Sequence, residues 1–352
     1  MTNTAQRRQK GFVLVIVLAI LVVLALLAAA TATSSERAIR AAQDDADRFA
    51  FECDMESSKQ TILYMLATQR QTLGGLTTEE ANASATLEMI EDVEGLLVIP
   101  TGKEIKLDGT AYRGFGNTLF SLQDDRGLIS PNWTTSAIHS ALLASLGAPA
   151  DQWNGLSAKR LDYQDPDDMH RLNGAEKSHY AAAALAPPTN MPLQTPLEFR
   201  RIIGWNTLLE PYDDTYILST ISLAQGADLN INTAPANVLA LIPEIGASNA
   251  ARIVEMRKSS PFHSVYQLQQ VIPLGPEIED GLNVFAKPSG NLTLWNEKFG
   301  ARHMMHWTLT PLEVGGPPWR IDYEVVLPRG KESDQAVANT PSTPLFATQN
   351  PG

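Results

Sequence analysis

Between residues 12 and 73 the chain runs for 62 residues without a glycine or a proline, although it holds 23 Gly and 22 Pro among 352 residues. Those two residues are the strongest breakers of regular structure, so the stretch reads as one continuous helix. Its first part, residues 12–32 (FVLVIVLAILVVLALLAAATA), carries no charge. About 20 apolar residues in a helix cross the roughly 30 Å hydrocarbon core of a bilayer. Arg7, Arg8 and Lys10 precede it with no acid among them. Basic flanks stay on the cytoplasmic side, which sends everything after the span outward. A cleaved secretory signal is the competing reading, with Ala30-Thr31-Ala32 as a small-residue cleavage site. Such a signal gives no reason for the breaker-free run to continue for another forty residues. Beyond the span Ile39, Ala42, Ala46, Phe49 and Cys53 recur at intervals of three to four. That spacing keeps an apolar stripe for packing against other helices.

Composition limits the rest. With 44% hydrophobic residues the chain can bury a core, so global disorder is excluded. The formal charge is −12 and the pI about 5.0, which opposes attraction to nucleic acid or anionic lipid. Cys53 is the single cysteine. It can close no internal disulfide and build no cysteine-rich zinc site.

Past the breaker-free run the pattern is mixed. Residues 97–109 and 117–122 (NTLFSL) read as short strands, and 134–146 as a helix ending at Gly147. Residues 161–180 (LDYQDPDDMHRLNGAEKSHY) read as a polar, acid-rich loop. The end of the chain is β. In 319–327 (WRIDYEVVL), Trp319, Ile321, Tyr323, Val325 and Leu327 alternate with Arg320, Asp322 and Glu324, a period of two with one buried face. Residues 303–314 are its expected partner strand, joined through Gly-Gly-Pro-Pro at 315–318. Residues 331–352 are polar and proline-bearing, the composition of a disordered tail.

Several stretches resemble one family. A short basic leader, then Gly11-Phe12, then a long breaker-free helix is similar to the processing signal of type IV pilins and type II secretion pseudopilins. The resemblance implies that a prepilin peptidase cuts between Gly11 and Phe12 and methylates the new terminus at Phe12. Most of that family carries glutamate at the fifth mature position, where this chain has Ile16. The departure points to the minor pseudopilin K family, which typically lacks that glutamate. A carboxylate in hydrocarbon is costly unless paired, and a subunit at the tip of a filament has nobody ahead to pair with. Other motifs agree. FSLQDDRGLISPN (120–132) resembles the family's strand, acidic turn and asparagine. Asp162, Asp165, Asp167, Gly174, Ala175, Glu176 and Tyr180 fall on its D-W-x-D-x-D … G-A-E-x-x-Y segment, with Tyr163 at the Trp. TNMPLQTPLEFRRIIGW (189–205) and LNINTA (229–234) match further runs.

The resemblance implies an α+β chain: a pilin-like fold with a long N-terminal transmembrane helix, a small antiparallel sheet and a large inserted helical domain of SAM-like, helix-hairpin-helix-like character. The expected divisions are a leader at 1–11, the N-terminal helix at 12–73 and core strands at 74–123. An inserted domain follows at 124–282, with two units at about 124–205 and 228–275. Returning strands occupy 283–330, and the tail 331–352. The implied function is that of a minor pseudopilin at the tip of the type II secretion pseudopilus, initiating its assembly and supporting protein export. It would be held in the inner membrane with its C-terminal domain in the periplasm. Implied partners are the minor pseudopilins I, J and H, the major pseudopilin and the prepilin peptidase. A type IV pilus minor pilin and a membrane-anchored DNA receptor remain the alternatives.

The DNA alternative comes from LIPEIG (241–246), which looks like the hairpin of a helix–hairpin–helix module. Such a hairpin offers backbone N–H groups to a phosphate from a Gly-x-Gly turn. Here Glu244 stands at the first glycine's place and sets a negative charge against the phosphate. Loss of the +3 leader would leave −15 on the rest of the chain. A structural module is the expected reading. Asn230, Asn232 and Thr233 are expected to cap its first helix, over a small core of Val238, Leu239, Ile242, Ile245, Ala250 and Ile253. Nucleic acid is not an expected partner.

Nothing in the sequence reads as an enzyme: there is no P-loop, no nucleophile elbow and no H-E-x-x-H. His303 and His306 lie three apart in a strand, on opposite faces, so they share no metal. Asp162, Asp165, Asp167, Asp168 and Glu176 are better ligand candidates. Oxygen-only donors in a loop suit calcium, which also occurs among pseudopilins. A solvated acidic loop is the alternative.

Overall fold

The computed structural model describes residues 12–78, 100, 102–226, 228–296, 301–313 and 315–328. Gly11 with the rest of the leader, part of the expected 97–109 strand and the tail 331–352 lie outside the described residues. The chain divides into two units, Met1–Cys53 and Asp54–Gly352.

The described residues of the first unit are helix. They belong to α1 (Phe12–Thr68), 57 residues whose most apolar window has a mean hydropathy of 3.5 and is not buried. This helix is long and apolar enough to act as a single-pass membrane anchor. The expected packing stripe is unpartnered here: Ile39 is 58% and Phe49 68% exposed.

The helix stops five residues short of the expected Leu73. Thr72 and Leu73 are used instead in a tight hairpin, β1 (Gln71–Thr72) with β2 (Gly75–Leu76). Gly75 makes that turn with φ at +134°, and a Cβ there would sit 2.2 Å from the Ile105 carbonyl oxygen. The hairpin thereby ends a stretch that local propensity alone would have continued as helix.

Strands β3 (Asp108–Arg113) and β4 (Leu119–Asp124) come next. A helical block then interrupts the sheet. Its elements are α2 (Ser136–Ser145), α3 (Trp153–Gln164), α4 (Lys177–Ala182), α5 (Trp205–Leu209), α6 (Asp214–Leu218), β5 (Leu229–Asn230), α7 (Ala236–Leu241), α8 (Gly246–Ser259), α9 (Val265–Gln269), α10 (Pro276–Glu279) and β6 (Leu282–Asn283). The sheet resumes with β7 (Ser289–Trp295), β8 (Arg302–Leu309) and β9 (Trp319–Leu327). The five long strands form one antiparallel sheet in the order β3-β4-β7-β8-β9. Central β7 falls within the returning strands expected at 283–330, although no strand was singled out before residue 303.

One sheet face is apolar and carries the end of α1. Ile62, Leu63, Met65 and Leu66 pack on Phe120, Leu122, Leu292, Leu294, Met305 and Trp307. Each such side chain is worth about 1.5–3 kcal/mol of transfer free energy when buried. The other face is polar, with Ser289, Asn291 and Thr293 buried along β7.

β9 corrects the reading of one buried face. Its register against β8 shifts between His306 and Trp307, where Ile321 and Tyr323 oppose consecutive residues and Asp322 is extra. A bulge of this kind changes the face of every later side chain. Trp319 and Ile321 therefore join the core under α1, whereas Tyr323, Val325 and Leu327 gather with Met304 and Leu218.

The helical block has one continuous core, from Leu128 to Val284. The six apolar residues expected in the hairpin module are all buried in it. Trp205 is fully buried, with its indole N–H donating to the Leu156 carbonyl at 2.9 Å.

Candidate functional site: the acidic loop and the sheet junction

The acidic segment is more helical than expected, since α3 runs to Gln164 and α4 starts at Lys177. Asp162, in the last turn of α3, is fully buried. Its carboxylate accepts the N–H of Ala175 at 2.9 Å, the N–H of Arg171 at 3.1 Å and the Arg171 guanidinium at 2.6 Å. Gly174 permits this closure, because a Cβ there would lie 1.9 Å from Asp162 Oδ2. Tyr180 is also fully buried, and its hydroxyl accepts the Ile203 N–H at 3.3 Å. The Asp, Gly-Ala and Tyr of this segment thus fold the loop back on its own helix.

Arg171 hydrogen-bonds Asp165 as well as Asp162. The two carboxylates raise its pKa and hold the guanidinium charged. Asp167 caps the Met169 N–H at 2.8 Å, and Asn190 Nδ2 ties the Asp168 carboxylate at 3.2 Å to the segment before α5. Glu176 is 3% exposed. Burial first, and then Asp162, Asp165, Asp168 and Asp167, push its pKa up. Both its carboxylate oxygens lack a hydrogen-bond partner, as do Asp165 Oδ1 and Asn190 Oδ1. These orphan oxygens suit a hard cation. The five predicted acids nevertheless do not converge as one ligand set. Among the described residues no three His, Cys, Asp or Glu are placed to hold a metal, and Arg171 occupies the position of counter-ion.

A second cluster, not foreseen from sequence, sits where the helical block leaves and re-enters the sheet. Asp124 and Asp125, at the end of β4, are 0% and 2% exposed. Asp124 accepts from Asn230 at 3.0 Å, Thr233 at 2.8 Å and the Lys287 N–H at 2.9 Å. Burial pushes its pKa up to about 6, against the pull of those three donors. Asn230 and Thr233 were expected to cap α7. Pro235 takes the cap position instead, and the two side chains tie the hairpin module to β4. Asn232 likewise donates to the carbonyls of Phe262 and Val284.

Asp125 accepts from Ser222 at 3.1 Å, from Ser289 at 2.6 Å and from His306 Nε2 at 2.9 Å. The other ring nitrogen of His306 is 2.8 Å from Asp322, the bulge residue of β9. Burial disfavours the imidazolium, but the two flanking carboxylates outweigh it and raise the His306 pKa to about 9. Burial also opposes the charge on Asp125, and His306, Ser289 and Ser222 overcome it, so its pKa falls. Serine, histidine and aspartate are all present, yet both serines donate to the aspartate. A charged histidine with both nitrogens engaged has no lone pair to take a serine proton. The cluster is a structural clamp. His303, three residues earlier, faces Val326 on the opposite side of β8, as the spacing implied.

Glu244, although exposed, is engaged by the protein's own backbone. It accepts the N–H of Gly275 at 2.6 Å, linking the α7–α8 turn to the start of α10.

Residues 119–210 match the family described as type II secretion system (T2SS), protein K. That stretch, about a quarter of the chain, is what the chain shares with protein K of the type II secretion system. The K-type match begins with β4 and covers the acidic loop and α5, so it contains Asp124, Asp125, Asp162 and Glu176. Residues 225–282 match the helix-hairpin-helix motif family. The chain is similar in structure to "The Crystal Structure of the GspK-GspI-GspJ complex from enterotoxigenic Escherichia coli Type 2 Secretion System", at 13% identity and a TM-score of 0.48, over 82% of this chain and 98% of that one. No curated protein matches the chain.

Proposed function

We infer that this chain is a minor pseudopilin that caps the type II secretion pseudopilus. The carrying observation is the K-type segment at 119–210 in a chain that also carries an exposed apolar helix from Phe12. The bulk inserted between β4 and β7 supports the tip position. A subunit in the body of a filament needs free contacts above and below, whereas a terminal one needs only the lower set. Ile16 supports it as well, since a terminal subunit has no amine ahead to neutralise. The stripe from Ile39 to Cys53 then packs on the N-terminal helices of the minor pseudopilins I and J, with H and the major pseudopilin below. The domain after the membrane helix lies in the periplasm, and the role is assembly and export, not catalysis. Pull-down of the chain from Ser34 onward, which keeps the stripe and the end of α1, with candidate pseudopilins tests this reading. Retention of I and J together is the expected result, and retention of neither sinks it.

Processing by a prepilin peptidase belongs to the same reading. Co-expression with that peptidase is expected to remove eleven residues and leave Phe12 first. N-terminal sequencing that starts near Ser34 would identify an ordinary signal peptide instead.

Calcium is a further part of this reading, with the orphan oxygens of Asp165, Glu176 and Asn190 as its donors, since Asp162 is already taken by Arg171 and the Ala175 N–H. An ion there would take up the orphan oxygens and relieve the carboxylate repulsion that adds to burial in raising the Glu176 pKa. A site filled at a hundred times its Kd stabilises by about 2.7 kcal/mol. EDTA is therefore expected to lower the melting temperature, and calcium but not magnesium to restore it. An unchanged melting curve would leave Arg171 as the only counter-ion of the loop.

A further inference from the structure

The seam between α3 and the entry of α2 holds a buried cation with no acid beside it among the described residues. Arg160 is 6% exposed. Its guanidinium has one hydrogen-bond partner among those residues: Nη1 donates to the side-chain oxygen of Asn132. Asn132 is neutral and already exchanges two hydrogen bonds with the Gln164 amide, at 3.1 and 3.2 Å. Arg160 Nε is buried and has no partner. Burial lowers the Arg160 pKa to about 10, so the group still carries its charge at neutral pH. A buried charge without a counter-charge is costly.

The groups around it are short of an acceptor. Ser157, Arg160 and Gln164 lie three and four residues apart on α3 and so share one face. That face meets the segment leading into α2, with His139 Nε2 2.9 Å from the Ser157 hydroxyl and Asn132 on Arg160 and Gln164. Residues 130–134 form a tight turn, in which the N–H groups of Trp133 and Thr134 both close on the Ser130 carbonyl at 3.0 Å. The hydroxyls of Ser130 and Thr134, two residues either side of Asn132, are buried without a partner. His139 Nδ1 is buried without one as well. Burial, and then the Arg160 charge, lower the His139 pKa to about 4, so the ring is neutral and one of its nitrogens carries a proton to donate. A buried water would satisfy the hydroxyls but would leave the guanidinium charge uncompensated. We propose that this seam binds one small inorganic anion of the size and charge of chloride, held by Arg160 and by the hydroxyls of Ser130 and Thr134. The ion ties the turn before α2 to α3 and completes the contact that Asn132 begins.

The test uses the full chain in detergent. Melting curves are recorded in sodium chloride and in sodium gluconate at matched ionic strength. The melting temperature is expected to climb with chloride and to lag behind it in gluconate. Arg160→Met should abolish the difference between the two salts and sharpen the chloride NMR line that wild type broadens. Should that variant fail to fold, Thr134→Val keeps the shape of the side chain and removes one donor, and it should move the chloride response to about tenfold higher concentration. Wild-type curves that coincide in the two salts overturn the proposal. So does a chloride response that survives Arg160→Met or, where that variant does not fold, one unmoved by Thr134→Val. Sulfate or phosphate that acts through Arg160 where chloride does not would overturn the assignment of a chloride-sized ion.

Discussion

Asp125→Ala is expected to destabilise the domain after α1 by about 3–5 kcal/mol, the cost of removing one partner from a buried ion pair. The figure follows from what the carboxylate holds. Asp125 is 2% exposed and satisfies Ser222 from the helical block, Ser289 from β7 and His306 from β8 at once. Its loss leaves two buried hydroxyls and one charged ring nitrogen without an acceptor, each in a place that water does not fill by default. The loss should exceed that of Asp322→Ala, because Asp322 is 21% exposed and solvent replaces part of what it gives. Asp125→Asn keeps an acceptor but removes the charge, so it should fall between wild type and alanine. Urea titration of the three variants orders them. A cost below about 1 kcal/mol for Asp125→Ala would mean that the helical block is held to the sheet by apolar contacts alone. A cycle with His306→Phe separates the pair from the rest: replacing both groups should cost less than the sum of the two single changes.

This clamp was hidden in the sequence for a definite reason. Asp124 and Asp125 were legible as an acidic turn, but their partners lie about a hundred or more residues away, at Asn230, Thr233, Lys287, Ser289 and His306. No local period announces such a pairing. The long helix was legible because its signal is local: absent breakers and a continuous apolar run. α2 was legible for the same reason, with Thr135 accepting the Ile138 N–H at its start and Gly147 at positive φ beyond its end. β9 was legible as a strand but not as a surface, since one extra residue at Asp322 sends the two halves of the alternation to different cores. The acidic loop shows the opposite limit. Five acids in fifteen residues suggested a ligand set, but Arg171 sits among them in the same quoted stretch and takes two of them. A cation within an acidic run is the signal that could have been read as its counter-charge. Asn230, Asn232 and Thr233 have the chemistry of helix caps. They are spent on tertiary bonds because Pro235, which donates no N–H of its own, already begins α7.

The clamp also sets a pH dependence with a sign that can be worked out. His306 has its pKa raised to about 9, from 6.5 in an unfolded chain. A raised histidine contributes its full stability below pH 6.5, and that contribution is lost as pH rises through 9. At about 1.4 kcal/mol per pH unit the loss across that window is about 3 kcal/mol. Asp124 acts in a different window. Its pKa is raised to about 6 from 3.8, so the folded state holds its proton longer and stability falls as pH rises between those values. Asp125 and Asp322 act in the other direction, because their pKa values are lowered. Their contribution is present above pH 3.8 and lost in acid. Stability of the domain should therefore decline twice as pH rises, once between about pH 4 and 6 and again between about 6.5 and 9. The steps are separable by substitution. His306→Gln should flatten the upper step and leave the lower one, while Asp124→Asn should do the reverse. Melting temperatures taken at half-unit intervals resolve both. A wild-type curve level from pH 6.5 to 9 would mean that His306 is neutral between its two carboxylates, and the account of the clamp as an ion pair would fall with it.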